Sequence, residues 1–219
     1  MPKNSISSSV IKRLPRYYRF LGELKKQNFI RISSRELSEK MGLTASQIRQ
    51  DLNCFGGFGQ QGYGYNVSEL HYEIGKILGV EQDNKTILVG AGNLGKALAS
   101  HIDFRKRGCE LIGIFDSNPE VCKQRVAGLS VTHMSELKRF CMEKKPVVAI
   151  LCIPKNAAQE LADTLVEYGI TAFWNFSHFD LKLNHADNIV VENVHLGDSL
   201  LVLSYGVHTR TENYKNEKE

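Results

Sequence analysis

The sequence predicts an α/β protein whose N-terminal third is mainly helical and whose remainder alternates strands with helices. One observation is that apolar runs typical of buried strands recur at regular intervals only after residue 84. The other is a Gly-x-Gly-x-x-Gly run between the strand Thr86–Val89 and a helix that opens at Lys96. We therefore expect a parallel sheet with its own helices from about residue 80 onwards.

Composition is that of an ordinary globular protein, but the charge is unevenly distributed. Of 219 residues, 42% are hydrophobic and 24% are charged, and no apolar stretch approaches the roughly 18 residues of a membrane helix. The formal net charge is +4; residues 1–79 hold 12 Lys or Arg against 6 Asp or Glu, so residues 80–219 are slightly acidic. A basic half is expected in a protein that meets a polyanion, although an ordinary surface would fit the charge equally well.

The cysteine pattern indicates a reducing compartment. The five cysteines are scattered, odd in number and without a Cys-x-x-Cys pair, and the first residues lack the apolar core of a signal peptide. We therefore expect a cytoplasmic protein with no membrane association, no disulfide framework and no metal site.

The first helix is expected from Arg16 to Gln27, with Pro15 just before it, where a missing N–H is harmless. Apolar residues repeat at helical spacing along one face of this segment: Tyr17, Phe20, Leu21 and Leu24.

Two further helices follow in close succession. Ser33 and Glu36 form a capping box for a helix that ends before Gly42. Thr44 and Gln47 open the next helix after only one more residue. Helices joined this tightly are typical of a helix-turn-helix.

The second of these helices carries side chains suited to base recognition. Ile48, Leu52 and Phe55 form its buried stripe, and polar residues lie opposite or on the flanks. Gln can pair with adenine and Arg with guanine, whereas an ordinary solvated face more often carries Lys and Glu. We expect DNA contacts from this face, with surface polarity as the alternative: Ser46, Gln47, Arg49 and Gln50.

Residues 55–65 contain five glycines and four aromatic residues. We expect a small hairpin, the wing of a winged helix, whose tip enters a minor groove through Gln60, Gln61 and Tyr63. A flexible linker is the alternative, but it would leave the aromatic rings in water. Ser68 is expected to cap a helix that ends at Gly79, so residues 1–79 form a winged helix-turn-helix domain.

The glycine run is expected to hold a dinucleotide in a Rossmann-like domain over residues 80–194. Its backbone can receive a pyrophosphate at a helix N-terminus. Asp116 ends the next strand, 21 residues after Gly95, where a carboxylate accepts hydrogen bonds from an adenosine ribose and repels a 2′-phosphate. This position favours NAD and NADH over their phosphorylated forms, and a strand-end helix cap is the alternative. The residues of the run are Gly90, Ala91, Gly92, Asn93, Leu94 and Gly95.

The remaining chain continues the strand and helix alternation. Strands are expected at residues 129–132, 147–152, 170–174 and 189–192, with helices at residues 135–143 and 156–168. Four residues just beyond strand ends could line a nicotinamide site or could simply form loops: Ile153, Pro154, Asn175 and Ser177.

A mostly apolar helix begins near Leu196 and is expected over residues 195–208. It is apolar nearly all round, so it must be buried on more than one side. A partner subunit is the expected cover. Residues 209–219 are polar and are expected to form a disordered tail.

Together, residues 13–19, 33–37, 44–52, 62–67 and 90–95 resemble the Rex family of redox-sensing transcriptional repressors, and the similarity runs over roughly residues 10–205. The resemblance implies a homodimer with N-terminal winged helices, NAD(H)-binding Rossmann domains and a C-terminal swapped helix. It implies binding to an inverted-repeat operator in double-stranded DNA when NADH is scarce, and release when NADH binds.

The resemblance also implies roles for single residues. Arg13 and Arg16 belong to the family's DNA-binding motif, and Gln60 stands where the family's wing often has a basic residue. Some members place a Tyr, an Asp and a first-helix Arg in a switching network. The matching positions here are His101, His195 and Arg19, with Leu196 at the start of the swapped helix.

Two other classes of protein fit part of the sequence. An NAD-dependent dehydrogenase would need a substrate domain and a positioned acid or base, and no Ser-Tyr-Lys or His-Asp arrangement is evident. We therefore do not expect an enzyme. A ligase-type CoA-binding domain has a similar glycine loop; Asp116 favours an NAD ribose without deciding the point.

Overall fold

The computed structural model describes residues 6–56, 58–60, 63–181 and 189–216, and for residues 59, 60 and 211–216 it describes the backbone only. The chain divides into two compact units. The first comprises Met1–Gln82 with Lys106–Gly108, and the second comprises Asp83–Arg105 with Cys109–Glu219. The sequence placed the boundary at residue 79.

The first unit packs four helices against a small antiparallel sheet. Its helices are α1 (Ser8–Lys26), α2 (Ser34–Met41), α3 (Ala45–Asn53) and α4 (Val67–Leu78). Its strands are β1 (Arg31–Ile32), β2 (Gly59–Gln60) and β3 (Gly64–Asn66), in the order β1-β3-β2. The strands β2 and β3 form the expected wing, and β1, which the sequence did not predict, adds a third strand beside β3.

The expected start of the first helix at Arg16 is wrong, because α1 begins at Ser8 and contains Pro15. Proline inside a helix removes one hydrogen bond to the carbonyl four residues earlier, here that of Ile11. Both residues are exposed, so water can satisfy this carbonyl. Val10 and Leu14 are buried on the same side of α1 as Tyr17, and their burial extends the helix through the proline.

Capping side chains define the ends of the short helices. The capping box of Ser33 and Glu36 is present, and Gly42 adopts the left-handed conformation at φ 62°. Thr44 accepts a hydrogen bond from the backbone N–H of Gln47 at the start of α3. The expected cap of α4 is wrong by two residues: Asn66, not Ser68, accepts from the N–H of Glu69. Asn66 also ends β3, so the chain passes from the wing directly into α4.

The second unit is a seven-stranded sheet with helices on both faces. Its strands are β4 (Asn84–Val89), β5 (Cys109–Asp116), β6 (Arg125–Val126), β7 (Leu129–His133), β8 (Val148–Leu151), β9 (Ala172–Asn175) and β10 (Val190–Asn193). Its helices are α5 (Asn93–His101), α6 (Pro119–Cys122), α7 (Leu137–Lys144), α8 (Lys155–Glu167) and α9 (Leu196–Asn216). The sequence did not predict β6 or α6.

The strand order is β10-β9-β8-β4-β5-β7-β6, and all neighbours are parallel except β6 and β7. Successive residues of a strand point to opposite faces. Leu88, Ile114 and Ile150 therefore belong to one apolar cluster, whereas their strand neighbours belong to another. Residues of α7 and α8 join the second cluster, and residues of α5 and α6 pack with the first. The unit is a three-layer fold of the Rossmann type.

The last helix, α9, differs in length from the expectation. It runs to Asn216, so the residues from 209 to 216 that we expected in a disordered tail are helical. Its apolar side chains are exposed in the single chain. Those side chains are Leu196, Leu200, Leu201, Val202, Leu203, Tyr205 and Val207. Within the described ranges, no helix has both the length and the apolar character needed to cross a membrane.

Candidate cofactor cleft and candidate DNA-binding surface

A cleft opens in the second unit where the strand order reverses. The strand β4 has β5 on one side and β8 on the other, and open α/β sheets bind ligands at the carboxyl ends of such strands. The cleft has a volume of about 500 Å³. It is lined by residues that follow β4, β5, β7 and β8 and by one face of α8. Among the expected cofactor residues, five line it: Gly90, Gly92, Asp116, Ile153 and Pro154.

Two of the three glycines in the run are required by the protein's own packing. Gly90 has φ 97°, and a Cβ there would overlap the carbonyl oxygen of Cys152. A Cβ at Gly95 would overlap the carbonyl oxygen of Gly90. Neither position can accept another residue without a shift of the loop between β4 and α5.

The remaining glycine, Gly92, is not required by packing. A Cβ there would have no protein atom within 4 Å, and the φ of Gly92 is −70°. Gly92 is also the N-cap of α5 and offers no side-chain acceptor to the first-turn N–H groups of Asn93, Leu94 and Gly95. An open space beside the positive end of a helix fits a pyrophosphate.

Asp116 connects the glycine run to the end of β5. Its Oδ2 accepts from the backbone N–H of Ala91 at 2.7 Å, and its Oδ1 accepts from the N–H of Asn118 at 2.8 Å. The carboxylate therefore holds the loop, a role that the sequence did not predict. A carboxylate has about four acceptor positions, so two remain for ribose hydroxyl groups.

The far wall of the cleft was not predicted from the sequence. It consists of Met134 after β7 and of four residues on one face of α8: Ala157, Glu160, Leu161 and Thr164. Their spacing of three and four residues is the signal that could have identified this face. Burial raises the pKa of the neighbouring Cys152 thiol to about 12, so this thiol adds no negative charge. The apolar part of this wall, Met134, Ala157 and Leu161, suits a flat heteroaromatic ring.

Asn175 and Ser177, which we expected beside a nicotinamide, are buried and hydrogen-bonded to each other. The Asn175 amide donates to the carbonyl of Phe179 at 2.6 Å and to Oδ1 of Asn193 at 2.8 Å. Its own oxygen accepts from the backbone and hydroxyl of Ser177. The amide donors of Asn175 are both used, and these hydrogen bonds stabilise the loop after β9. A contact of Asn175 or Ser177 with a nicotinamide stays a prediction.

In the first unit, α3 presents a polar surface. Ser46, Arg49 and Gln50 are exposed on α3, and Arg49 donates to the hydroxyl of Ser34 at 3.0 Å. Tyr63 is 69% exposed, and the guanidinium of Arg31 lies 5.9 Å from its ring centroid. Only the backbone of Gln60 is described, in β2, and Gln61 lies outside the described residues.

Asp51 is fully buried on α3 and joins α3 to α1. Its Oδ2 accepts from Arg13 Nε at 2.6 Å and from the Tyr17 hydroxyl at 2.8 Å. Its Oδ1 accepts from Arg13 Nη2 at 2.7 Å and from Gln47 Nε2 at 2.8 Å. The role of Asp51 was not predicted from the sequence, because its partners on α1 lie far away in the chain.

Three of the expected DNA-binding residues also have hydrogen-bond partners within the protein. Arg13 and Gln47 each donate to Asp51, and Arg16 donates to the carbonyl of Met41. Each side chain therefore has an internal partner. Burial alone would raise the pKa of Asp51, but hydrogen bonds from Arg13, Gln47 and Tyr17 outweigh it and lower this pKa below its usual value.

The lowered pKa of Asp51 predicts a pH-dependent stability. A carboxyl group with a lower pKa in the folded state stabilises the fold above its unfolded pKa of about 3.9 and loses that effect as the pH falls through the folded value. At pH 7, Asp51→Asn is expected to lower the free energy of unfolding by about 2 kcal/mol, because it weakens charged hydrogen bonds. In urea unfolding, the difference from wild type should shrink below pH 4. A difference that stays constant down to pH 3 would contradict this account.

Of the residues expected in a switching network, His195 has partners within the second unit. His195 Nε2 lies 2.8 Å from Asp180 Oδ1, and the rings of His195 and His178 stack with centroids 6.2 Å apart. Arg19 and His101 are exposed within their own units, and Leu196 is the first residue of α9. The switching role of these residues stays a prediction. Among the described side chains, no group of three His, Cys, Asp or Glu residues could hold a metal ion.

Fold and sites together define the class of a DNA-binding regulator that carries a dinucleotide-type cleft. Two family models match the chain: "Putative DNA-binding protein N-terminus" over residues 5–53 and "CoA binding domain" over residues 81–179. The second match reflects the glycine loop and the sheet that CoA-binding and NAD-binding domains have in common.

Similar proteins identify the family. A redox-sensing transcriptional repressor Rex from Thermoanaerobacter pseudethanolicus (strain ATCC 33223 / 39E) is 55% identical over 93% of this chain and 90% of its own. The Rex of Clostridium novyi (strain NT) is 49% identical over 93% of this chain and 96% of its own. The chain belongs to the Rex family of redox-sensing transcriptional repressors. The relatives are named as repressors, which confirms the expectation that the protein is not an enzyme.

Solved structures agree with this assignment. RSP, a Rex-family repressor, in complex with β-NAD⁺ and operator DNA matches with a TM-score of 0.87 and 52% identity, over 98% of each chain. RSP in complex with β-NADH matches with a TM-score of 0.87 and 49% identity, over 97% of this chain and 99% of that one. The prediction of a winged helix followed by a Rossmann-like domain is confirmed.

Proposed function

We propose that the protein is a cytoplasmic, homodimeric repressor that binds an inverted-repeat operator when NADH is scarce and releases it when NADH binds. The observation that carries this proposal is the combination, in one chain, of the Gly92 space beside Asp116 and the exposed polar face of α3. RSP, which is similar over nearly the whole chain, has been solved with β-NAD⁺ and operator DNA and also with β-NADH.

The cleft would hold the common part of both cofactors. The N–H groups at the start of α5 would bind the pyrophosphate, and the free acceptor positions of Asp116 would bind the adenosine ribose. The apolar wall of Met134, Ile153 and Leu161 would contact the adenine. NADH and NAD⁺ are identical in these parts, so the response must depend on the nicotinamide, which is neutral when reduced and cationic when oxidised.

The α3 face would enter the major groove and the wing would enter the minor groove. Arg49, Gln50 and Ser46 are the exposed side chains placed to reach bases, and Tyr63 lies next to the tip of the wing. An inverted repeat requires two such heads, about 34 Å apart or a multiple of that distance.

The helix α9 would form the dimer by packing against the partner subunit, as a swapped element. Leu200, Leu201, Leu203 and Tyr205 are each at least 63% exposed in the single chain. So many exposed apolar side chains on one helix mark a protein interface. A ligand that prefers one dimer geometry would then change the spacing of the two heads, which couples the cleft to DNA binding.

Asp116→Ala provides the experiment that tests the proposal. We expect the variant to bind an inverted-repeat duplex as tightly as wild type when no cofactor is present, because Asp116 lies in the second unit. NADH should release this variant from the operator only at a concentration at least about tenfold higher, since the ribose hydrogen bonds to a charged group and the carboxylate contact that holds the glycine loop are both lost. Gel-shift titrations of both proteins against the operator and an unrelated duplex measure this. A wild-type protein that does not prefer the inverted repeat would contradict the proposal.

A further inference from the structure

The contacts of Asp51 determine how two neighbouring polar side chains are oriented. Each carboxylate oxygen accepts two hydrogen bonds, which uses all four acceptor positions. Two of the donors, Arg13 and Gln47, are partly exposed, whereas Tyr17 is fully buried. Asp51 is therefore a buried anchor with two arms that reach the surface.

The amide of Gln47 has a single allowed orientation. A carboxylate only accepts hydrogen bonds, so the amide nitrogen of Gln47 must face Asp51 and the amide oxygen must face away. The groups that remain free are the oxygen Oε1 and one N–H. This is the pair of groups with which a glutamine binds N6 and N7 of adenine in the major groove. Gln47 lies in the first turn of α3, the end of a recognition helix that contacts bases.

Arg13 is oriented in the same way from the side of α1. Its Nε and one N–H of Nη2 are bound to Asp51, and its side chain is 27% exposed. A guanidinium has five N–H groups, so three remain for another anion. A guanidinium held in this manner loses little further side-chain freedom when it binds a phosphate.

We propose that Asp51 is the positioning residue of the DNA-binding surface: it presents Gln47 for adenine recognition and Arg13 for a phosphate. The inference rests on the proposed function, since it concerns how the operator is read. Asp51 is fully buried, so it would influence DNA recognition only through the side chains that it orients. This role also gives a reason for the presence of a carboxylate next to a surface that must bind a polyanion.

The test compares Asp51→Asn with Tyr17→Phe. Both variants remove hydrogen bonds at the same buried carboxylate, but Tyr17→Phe leaves Gln47 and Arg13 attached to it. Operator affinity and urea unfolding are measured for each, with duplexes in which every base pair of the half-site is changed in turn. We expect Asp51→Asn to bind the operator about tenfold more weakly and to lose discrimination at one A·T pair. Tyr17→Phe should lose stability and keep that discrimination.

The direction of the change in operator affinity distinguishes lost orientation from a simple electrostatic effect. Removal of a carboxylate would by itself strengthen binding to DNA, so weaker binding by Asp51→Asn has to come from lost orientation. The double variant Asp51→Asn/Gln47→Ala should discriminate between the altered duplexes no less than Asp51→Asn alone does. NADH affinity serves as the internal control and should be unchanged in every variant.

Several outcomes overturn the inference. Full discrimination by Asp51→Asn would do so, as would losses of affinity by Asp51→Asn and Tyr17→Phe in proportion to their losses of stability. Gln47→Ala keeps the proposal testable if Asp51→Asn does not fold, because Gln47 is partly exposed. Unchanged discrimination by Gln47→Ala at every base pair also overturns it. A wild-type protein without preference for the inverted repeat would instead refute the proposed function.

Discussion

Replacing Gly92 by alanine is expected to weaken NADH binding by at least about tenfold, while the stability of the cofactor-free protein stays unchanged. A Cβ at Gly92 meets no protein atom within 4 Å, and its backbone conformation is open to any residue. The same Cβ would occupy the space through which a pyrophosphate approaches the N–H groups of α5. Loss of charged hydrogen bonds of this kind is typically about 1.5–3 kcal/mol each.

Gly95→Ala is the matched control for this prediction. Its Cβ would overlap the carbonyl oxygen of Gly90, so the loop must move even without a ligand. We expect a loss of about 1–3 kcal/mol in the free energy of unfolding, in line with overpacking elsewhere. Isothermal titration with NADH and urea unfolding of both variants measure the two effects separately. If Gly92→Ala bound NADH as tightly as wild type, the pyrophosphate would not lie where we place it.

The double substitution Leu200→Glu/Leu203→Glu is expected to give a monomer that binds the operator at least about a hundredfold more weakly. These side chains are 64% and 63% exposed in the single chain, and charges at an apolar interface carry a desolvation penalty of several kcal/mol. A monomer would bind one half-site at a time and would lose the gain from simultaneous contact. Sedimentation velocity and gel shift are the measurements.

Met142→Glu is the control for this substitution. Met142 is also apolar and half-exposed, but it lies on α7, whose buried side packs on the sheet. The control should remain a dimer with wild-type affinity for the operator. A Leu200→Glu/Leu203→Glu protein that stays dimeric would show that α9 is not the interface.

Local signals in the sequence predicted most of the fold. The capping box at Ser33, the left-handed Gly42 and the alternation of strands and helices after residue 84 depend only on neighbouring residues. Errors arose where a local signal was overridden by tertiary packing or by the extension of a neighbouring helix. Pro15 suggested a helix start, but the buried Val10 and Leu14 extend α1 past it. The polar residues after 209 suggested disorder, yet extending an existing helix is easier than starting one.

The site could be predicted only in part, because its geometry depends on residues distant in the chain. The glycine run and Asp116 were recognisable from their spacing. The partners Arg13 and Asp51 lie 38 residues apart on different helices, and no periodicity connects them. The hydrogen bonds of Asn175 to Phe179 and Asn193 likewise depend on residues that only the folded chain brings together.

The most direct test of the central claim is a parallel titration of the protein–operator complex with NADH and with NAD⁺, followed by fluorescence anisotropy of a labelled duplex. The two cofactors have the same adenine, riboses and pyrophosphate, so a difference between them reports on the nicotinamide alone. We predict that NADH releases the duplex at concentrations at which NAD⁺ leaves the complex intact. Release by both cofactors at the same concentration, or an anisotropy that stays constant throughout, would contradict the account.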